Sequence, residues 1–183
     1  MTLHDPDPSP IEYLEGLIAD VPDFPKPGII FKDISPMLAD ARALPLAVEL
    51  MASPYRGTGI TAVVGAESRG FIFGTAIAQA LSAGFVPVRK PGKLPREVYG
   101  VDYDLEYGTD RLEMHVDAIG EGQKVLLVDD LLATGGTMAA ACDLVKAAGA
   151  EIAAVTVFIE LTALEGVKKL QGHADRVHAV LRY

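Results

Sequence analysis

A chain of 183 residues with 50% hydrophobic and 22% charged side chains suits one globular domain with a core of its own. Its formal net charge of -9 argues against a nucleic-acid binder, which needs a basic face to meet phosphates. The single cysteine, Cys142, excludes an intramolecular disulfide and a cysteine-built zinc site.

No apolar run reaches the about 18 residues that span a membrane, and no signal-peptide pattern opens the chain, so no membrane partner and a cytoplasmic setting are expected. The polar, proline-rich residues 1–10 read as a disordered tail, with a single domain over 11–183. Ile11, Leu14, Leu17 and Ile18 recur at helical spacing. PDFPKPG then breaks that helix. IIFKDIS reads as a short strand leading into a loop. Asp40 can cap a second helix through about Ala52, with Pro45 delaying or kinking it. From Ile60 the pattern alternates. ITAVVG, FVPVRK, KVLLVDD and EIAAVTVFIEL read as strands, while GFIFGTAIAQALSAG, TMAAACDLVKAAGA and TALEGVKKLQG read as helices. Apolar strands alternating with helices predict a mainly parallel sheet covered on both faces, with ligands at the carboxyl ends of its strands. One segment breaks the alternation: residues 90–117, rich in charge, proline, glycine and tyrosine, read as a functional loop or lid.

The stretch VLLVDDLLATGGT, Val125 to Thr137, carries the chemistry. An apolar strand ends in Asp129 and Asp130, where the chain is expected to turn so that both carboxylates line one crevice. Ala133, Thr134, Gly135, Gly136 and Thr137 then offer small residues, hydroxyls and backbone N–H groups at the start of a helix, which favours an anion. A phosphate cradle beside two hydrogen-bond acceptors fits a ribose 5-phosphate. The other reading is a helix-capping turn with two solvated acids. A Walker pair is excluded because GxxxxGK[ST] is missing, and ATGGT lacks the GxGxxG spacing of a dinucleotide fold. The four histidines lack metal-ligand spacing, and Cys142 shares a helical face with Met138, Ala141 and Val145, as a buried apolar residue would.

Five segments in order, FPKPGIIFKDISPML, VVGAESRGFIFG, PVRKPGKLP, LEYGTDRLEMH and VLLVDDLLATGGT, resemble the purine/pyrimidine phosphoribosyltransferases, and within them the adenine-using branch. The resemblance implies the type I fold: an α/β, mainly parallel twisted sheet flanked by helices, with a small hood from residues about 11–35 and 90–117 and a flexible catalytic loop. It implies purine salvage, in which adenine and 5-phosphoribosyl 1-pyrophosphate give AMP and pyrophosphate with Mg2+ held mainly through the substrate, in a cytoplasmic homodimer. On this resemblance Ala133–Thr137 bind the 5-phosphate and Asp129 and Asp130 the ribose hydroxyls. Glu67, Ser68 and Arg69 form the pyrophosphate loop, where a cis peptide near Glu67–Ser68 would be in character. Arg89, Lys90 and Lys93 meet further phosphate charge. Glu106, with Arg69 the catalytic pair, manages a proton on the base, and Tyr103 and Tyr107 seat the loop. Ile30, Phe31, Lys32 and Leu161 bind adenine. Many members carry arginine at the position of Lys32, and lysine cannot form the same planar fork. Two alternatives remain at this point: a transferase for another purine base, and a non-catalytic regulator that binds the sugar pyrophosphate.

Overall fold

A computed structural model describes residues 8–105 and 108–183, the side chains of 104 and 105 excepted. The chain divides into two compact units, Met1–Val48 and Glu49–Tyr183.

In the first unit, helix α1 (Pro10–Glu15) opens inside the stretch expected to be a tail. Ser9 and Glu12 form a capping box there, with Ser9 Oγ accepting from Glu12 N at 3.3 Å and Glu12 Oε2 from Ser9 N at 2.8 Å. The helix stops before Leu17 and Ile18, whose periodicity had extended it. The chain instead enters strand β1 (Ala19–Pro22), which pairs antiparallel with β2 (Ile30–Asp33). Phe24 and Phe31 meet edge to face at 5.2 Å. The loop expected after β2 is a helix, α2 (Ser35–Ala39). Asp33 Oδ1 accepts from both the N–H and the hydroxyl of Ser35 and organises its start. Asp40 does act as the predicted cap. Its Oδ1 accepts from Arg42 N and Ala43 N, each at 2.8 Å, ahead of α3 (Ala43–Ala52). Pro45 falls in the first turn of α3, where its missing N–H costs nothing.

The second unit is built on a five-stranded parallel sheet: β3 (Ala62–Ala66), β4 (Gly84–Val88), β7 (Lys124–Leu132), β8 (Glu151–Glu160) and β9 (Val177–Arg182), in the order β4-β3-β7-β8-β9. Every residue of β3 is buried, as a central parallel strand requires. Helix α4 (Gly70–Leu81) covers one face through Phe73, stacked on Phe158 of β8 at 5.4 Å. Helix α5 (Gly136–Ala147) covers the other, joining Met138, Cys142 and Val145 to Val64, Leu127 and Val157. The chain leaves β3 for β4 on one side and resumes at β7 on the other. The topological switch point therefore lies between β3 and β7.

Three parts differ from expectation. Within residues 90–117, expected as a functional loop or lid, β5 (Val98–Leu105) and β6 (Gly108–His115) pair antiparallel, with Tyr103 opposite Asp110. Their apolar stripe of Tyr99, Val101, Leu112 and Met114 packs into the α5-side core, while Asp102, Arg111 and Glu113 take the other face and Asp110 lies at the end of the stripe, opposite Tyr103. Strand β9, not among the predicted elements, closes the sheet beside β8. The last predicted helix resolves into a 3-10 turn (Thr162–Leu164) and the short α6 (Gly166–Lys169).

Candidate active site

The carboxyl edge at the switch point holds a cavity of about 240 Å³, lined by Glu67–Arg69 after β3 and by residues 129–138. These are the pyrophosphate-loop and ribose 5-phosphate candidates, now on one concave surface. The reason Asp129 and Asp130 share it differs from the predicted one. The chain does not turn at the acids, because β7 runs on to Leu132. Pairing between β3 and β7 ends at Gly65 opposite Val128, so from Asp129 onward β7 outruns its neighbour and that edge opens into the crevice.

The two acids are electrostatically unequal. Asp130 is 5% exposed, and its Oδ2 lies 3.0 Å from Arg69 Nε, an ion-pair distance without hydrogen-bond geometry. Asp129 Oδ1 accepts from Asp130 N at 2.8 Å. Burial, then the neighbouring Asp130 charge, pushes the Asp129 carboxyl well above the usual carboxylate range, although part of its surface reaches the cavity. Gly70 makes room for this carboxylate, since a Cβ there would lie 2.8 Å from Asp129 Oδ1.

Facing the acids, Gly135 adopts φ +82°, a left-handed conformation that glycine takes at no steric cost. It directs the chain into α5, and Ala139 N donates back to Gly135 O at 2.9 Å. The first N–H groups of a helix have no partner within it, so the turn presents donors together with the positive end of the α5 dipole. Helix α4 also starts at this edge, directly after Arg69. The turn can hold a dianion, and the acids can accept from neutral hydroxyls.

The peptide between Glu67 and Ser68 is cis. Glu67, which lines the cavity, also meets the basic segment. Arg89 Nε donates to its Oε2 at 3.1 Å and Lys90 N at 2.9 Å. Burial raises the Glu67 carboxyl, but these donors and the Arg89 and Lys93 charges outweigh it and leave it below the usual range. Lys90 Nζ is paired with Asp110 and lies 3.4 Å from Tyr103 Oη, while the Thr137 hydroxyl donates to Tyr103 Oη at 3.5 Å. Tyr103 and Lys90 thus join the hairpin to the end of the glycine turn. Asp110, which completes that junction, carried no signal in the sequence beyond being one acid among many.

The remaining candidates belong to other elements. Ile30, Phe31 and Lys32 lie on β2 of the first unit, with Lys32 Nζ 2.6 Å from Asp20 Oδ1. Leu161 follows β8 and its N–H donates to Leu132 O at 2.9 Å. Glu106 and Tyr107 lie outside the described residues.

Residues 36–180 match the family of the phosphoribosyl transferase domain. The class is therefore that of enzymes that transfer a phosphoribosyl group, which a phosphate-type turn at the switch point of a parallel sheet suits. The likeness extends further. The chain is 57% identical over 173 residues to the adenine phosphoribosyltransferase of Methylococcus capsulatus, covering 94% of this chain and 100% of that protein. It superposes on the crystal structure of adenine phosphoribosyltransferase from Rhodothermus marinus with a TM-score of 0.90 at 52% identity, covering 95% of this chain and 98% of that one. The enzyme of that name from Saccharomyces cerevisiae, complexed with an imino-altritol bisphosphate and adenine, matches with a TM-score of 0.88 at 37% identity over 94% and 98% of the two chains. The chain belongs to the adenine phosphoribosyltransferase family.

Proposed function

We propose that this enzyme joins adenine to the 5-phosphoribosyl group of 5-phosphoribosyl 1-pyrophosphate, releasing AMP and pyrophosphate in purine salvage. The observation that carries the reading is the cavity at the switch point, where a glycine turn at a helix N-terminus faces two carboxylates and an arginine across about 240 Å³. Residues 133–137 hold the 5-phosphate through backbone N–H groups and the hydroxyls of Thr134 and Thr137. Asp129 and Asp130 accept from the ribose hydroxyls. Their charge also stabilises the oxocarbenium-like state that develops at the anomeric carbon as the pyrophosphate leaves. Arg69, which rests against Asp130, turns its fork to the leaving group together with the Ser68 backbone. Glu67 aligns Arg89, Lys90 and Lys93 around the same charge.

Among the described residues no group of three or more His, Cys, Asp or Glu could hold a metal ion. Two carboxylates beside a polyphosphate site suit a magnesium ion carried mainly by substrate oxygens, and its charge offsets that of the pyrophosphate. Glu106 manages the proton on the base. Phe31, Ile30, Lys32 and Leu161 are the adenine-contacting residues, with Lys32 acting through its backbone because its ammonium is engaged by Asp20. Residues 11–183 act as one catalytic domain, in a cytoplasmic homodimer. The family likeness supports a transferase over a regulator, and the adenine bound by the yeast relative supports adenine over other purines.

The test is a spectrophotometric assay with magnesium, the sugar pyrophosphate and adenine, hypoxanthine, guanine or xanthine offered separately. Turnover with adenine alone is expected. Turnover with another base would discard the base assignment and keep the sugar half. Binding of the sugar pyrophosphate without turnover on any base would establish the regulator.

A further inference from the structure

The segment after β8 packs on the anion-binding turn with no side chain between the two backbones. A Cβ on Gly135 would meet the Gly166 carbonyl oxygen at 2.6 Å. The converse contact is tighter: a Cβ on Gly166 would lie 2.2 Å from Ala133 O, 3.2 Å from Ala133 C and 3.0 Å from Leu132 Cγ. Gly166 is buried and opens α6 without a left-handed backbone, so its need for glycine is one of space and not of conformation. The obstacle is mostly backbone, which cannot rotate away as a flexible side chain would.

Neither partner is free to retreat. Leu161 N donates to Leu132 O at 2.9 Å, fastening the segment to the end of β7. Thr162 N and Oγ1 donate to the backbone oxygen of Tyr183 at 2.8 and 2.7 Å, and Tyr183 N donates to Glu160 O at 3.0 Å. On the other side, Gly135 O is tied to Ala139 N of α5. Gly166 is therefore a spacer of fixed thickness between two anchored pieces of chain. It does not line the cavity, but Ala133 and Gly135, which do, rest on it.

We propose that Gly166 is a positioning residue for the 5-phosphate. Its missing side chain sets the depth of Ala133–Gly135, and so aims the N–H groups of the turn at the ligand. The proposal rests on the reading of residues 133–137 as the 5-phosphate site. A methyl group at 166 has to push the turn into the cavity or push α6 away. An anion held by several convergent N–H groups is sensitive to either displacement, whereas a base contact by Leu161, held five residues earlier by its own hydrogen bond to Leu132 O, is less so.

The experiment measures ribose 5-phosphate binding by calorimetry and steady-state kinetics for Gly166→Ala, with Gly120→Ala as control. The Gly120 Cβ would have no neighbour closer than 4.0 Å. Ribose 5-phosphate affinity is expected to fall about tenfold, a loss of about 1.4 kcal/mol, and the KM for the sugar pyrophosphate to rise in step while that for adenine stays put. Thr162→Val, which removes one anchor without adding a clash, should shift the same parameters by about two- to threefold. Wild-type ribose 5-phosphate affinity in Gly166→Ala, or an adenine KM that rises in the same ratio, overturns the proposal. If Gly166→Ala fails to fold, Thr162→Val decides: weaker sugar-phosphate binding supports the spacer role and unchanged binding overturns it. Should the wild type bind ribose 5-phosphate yet transfer nothing to adenine, the adenine reading fails while the Gly166 arm still gives its own answer.

Discussion

Asp129 is costly to keep charged, and replacing it by asparagine should stabilise the fold while disabling the enzyme. Burial first, then the Asp130 carboxylate, raises its carboxyl well above the ordinary range, against the pull of the Asp130 N–H. A folded-state pKa raised above the unfolded value means that the group contributes stability fully below the unfolded pKa. That contribution is lost as the pH climbs through the folded pKa. At neutral pH and above, the wild type therefore carries a penalty that acid removes. In Asp129→Asn the new side chain keeps an oxygen for the Asp130 N–H, now 2.8 Å from Asp129 Oδ1, and sets an amide NH2 beside the Asp130 carboxylate. The repulsion becomes a hydrogen bond, and Arg69, 3.0 Å from Asp130, then balances one charge instead of two. Relieving one badly compensated buried polar group is worth about 1–3 kcal/mol. For a chain of this size that is roughly 2–12 °C in melting temperature. Circular-dichroism melts of wild type and Asp129→Asn at about pH 8 and about pH 4.5, run beside turnover assays, test this. The variant should melt higher at the upper pH, lose that advantage in acid, and turn over about a hundredfold more slowly. An equal or lower melting point near pH 8, or a gain that grows in acid, would refute the electrostatic argument.

Glu106→Gln should lower turnover far more than it changes either KM, and an unchanged turnover number would remove Glu106 from proton transfer. Tyr103→Phe deletes the hydroxyl that receives Lys90 and Thr137 and donates to Asp110 at 3.2 Å. It should cost about 0.5–1.5 kcal/mol in a denaturant titration and raise the KM for the sugar pyrophosphate; wild-type values in both would mean that the junction holds nothing. Cys142 is fully buried, and burial pushes its thiol up to about 12. A disulfide reagent near neutral pH should therefore label it only at the rate of unfolding, and fast labelling of native protein would contradict its placement.

How much of this was legible in the sequence depended on whether the information was local. The strand ending in Asp129 and Asp130 and the glycine turn after it were readable because strand, turn chemistry and helix start occupy one contiguous stretch. The Asp40 cap was readable for the same reason. The hairpin was legible too, and its misreading is instructive: Tyr99, Val101 and Tyr103 alternate with Gly100 and Asp102, and Leu112 and Met114 with Arg111 and Glu113. That is the period of a half-buried strand pair, masked by the charge of the segment. The one-residue alternation placed the apolar side chains on α5 and left Asp110 opposite Tyr103, where it could take Lys90.

What the sequence could not carry was the relation between strands. The carboxylates share a crevice because β3 stops at Ala66 while β7 continues to Leu132, a difference in the lengths of two segments far apart in the chain. Gly166 offers a sharper case. In sequence it is an ordinary glycine after a glutamate, well beyond the turn that it supports, and only the Ala133 carbonyl oxygen 2.2 Å from its absent Cβ gives it meaning. Its role is defined by what must not be there, and an unfilled volume leaves no periodicity, charge or spacing to read. On the proposed roles, the chemistry of this site lies in residues that would touch the substrate, and its precision in remote backbone that would hold residues 133–135 at the right depth. Substitutions of the first kind should abolish turnover, and those of the second should shift binding of the sugar phosphate alone.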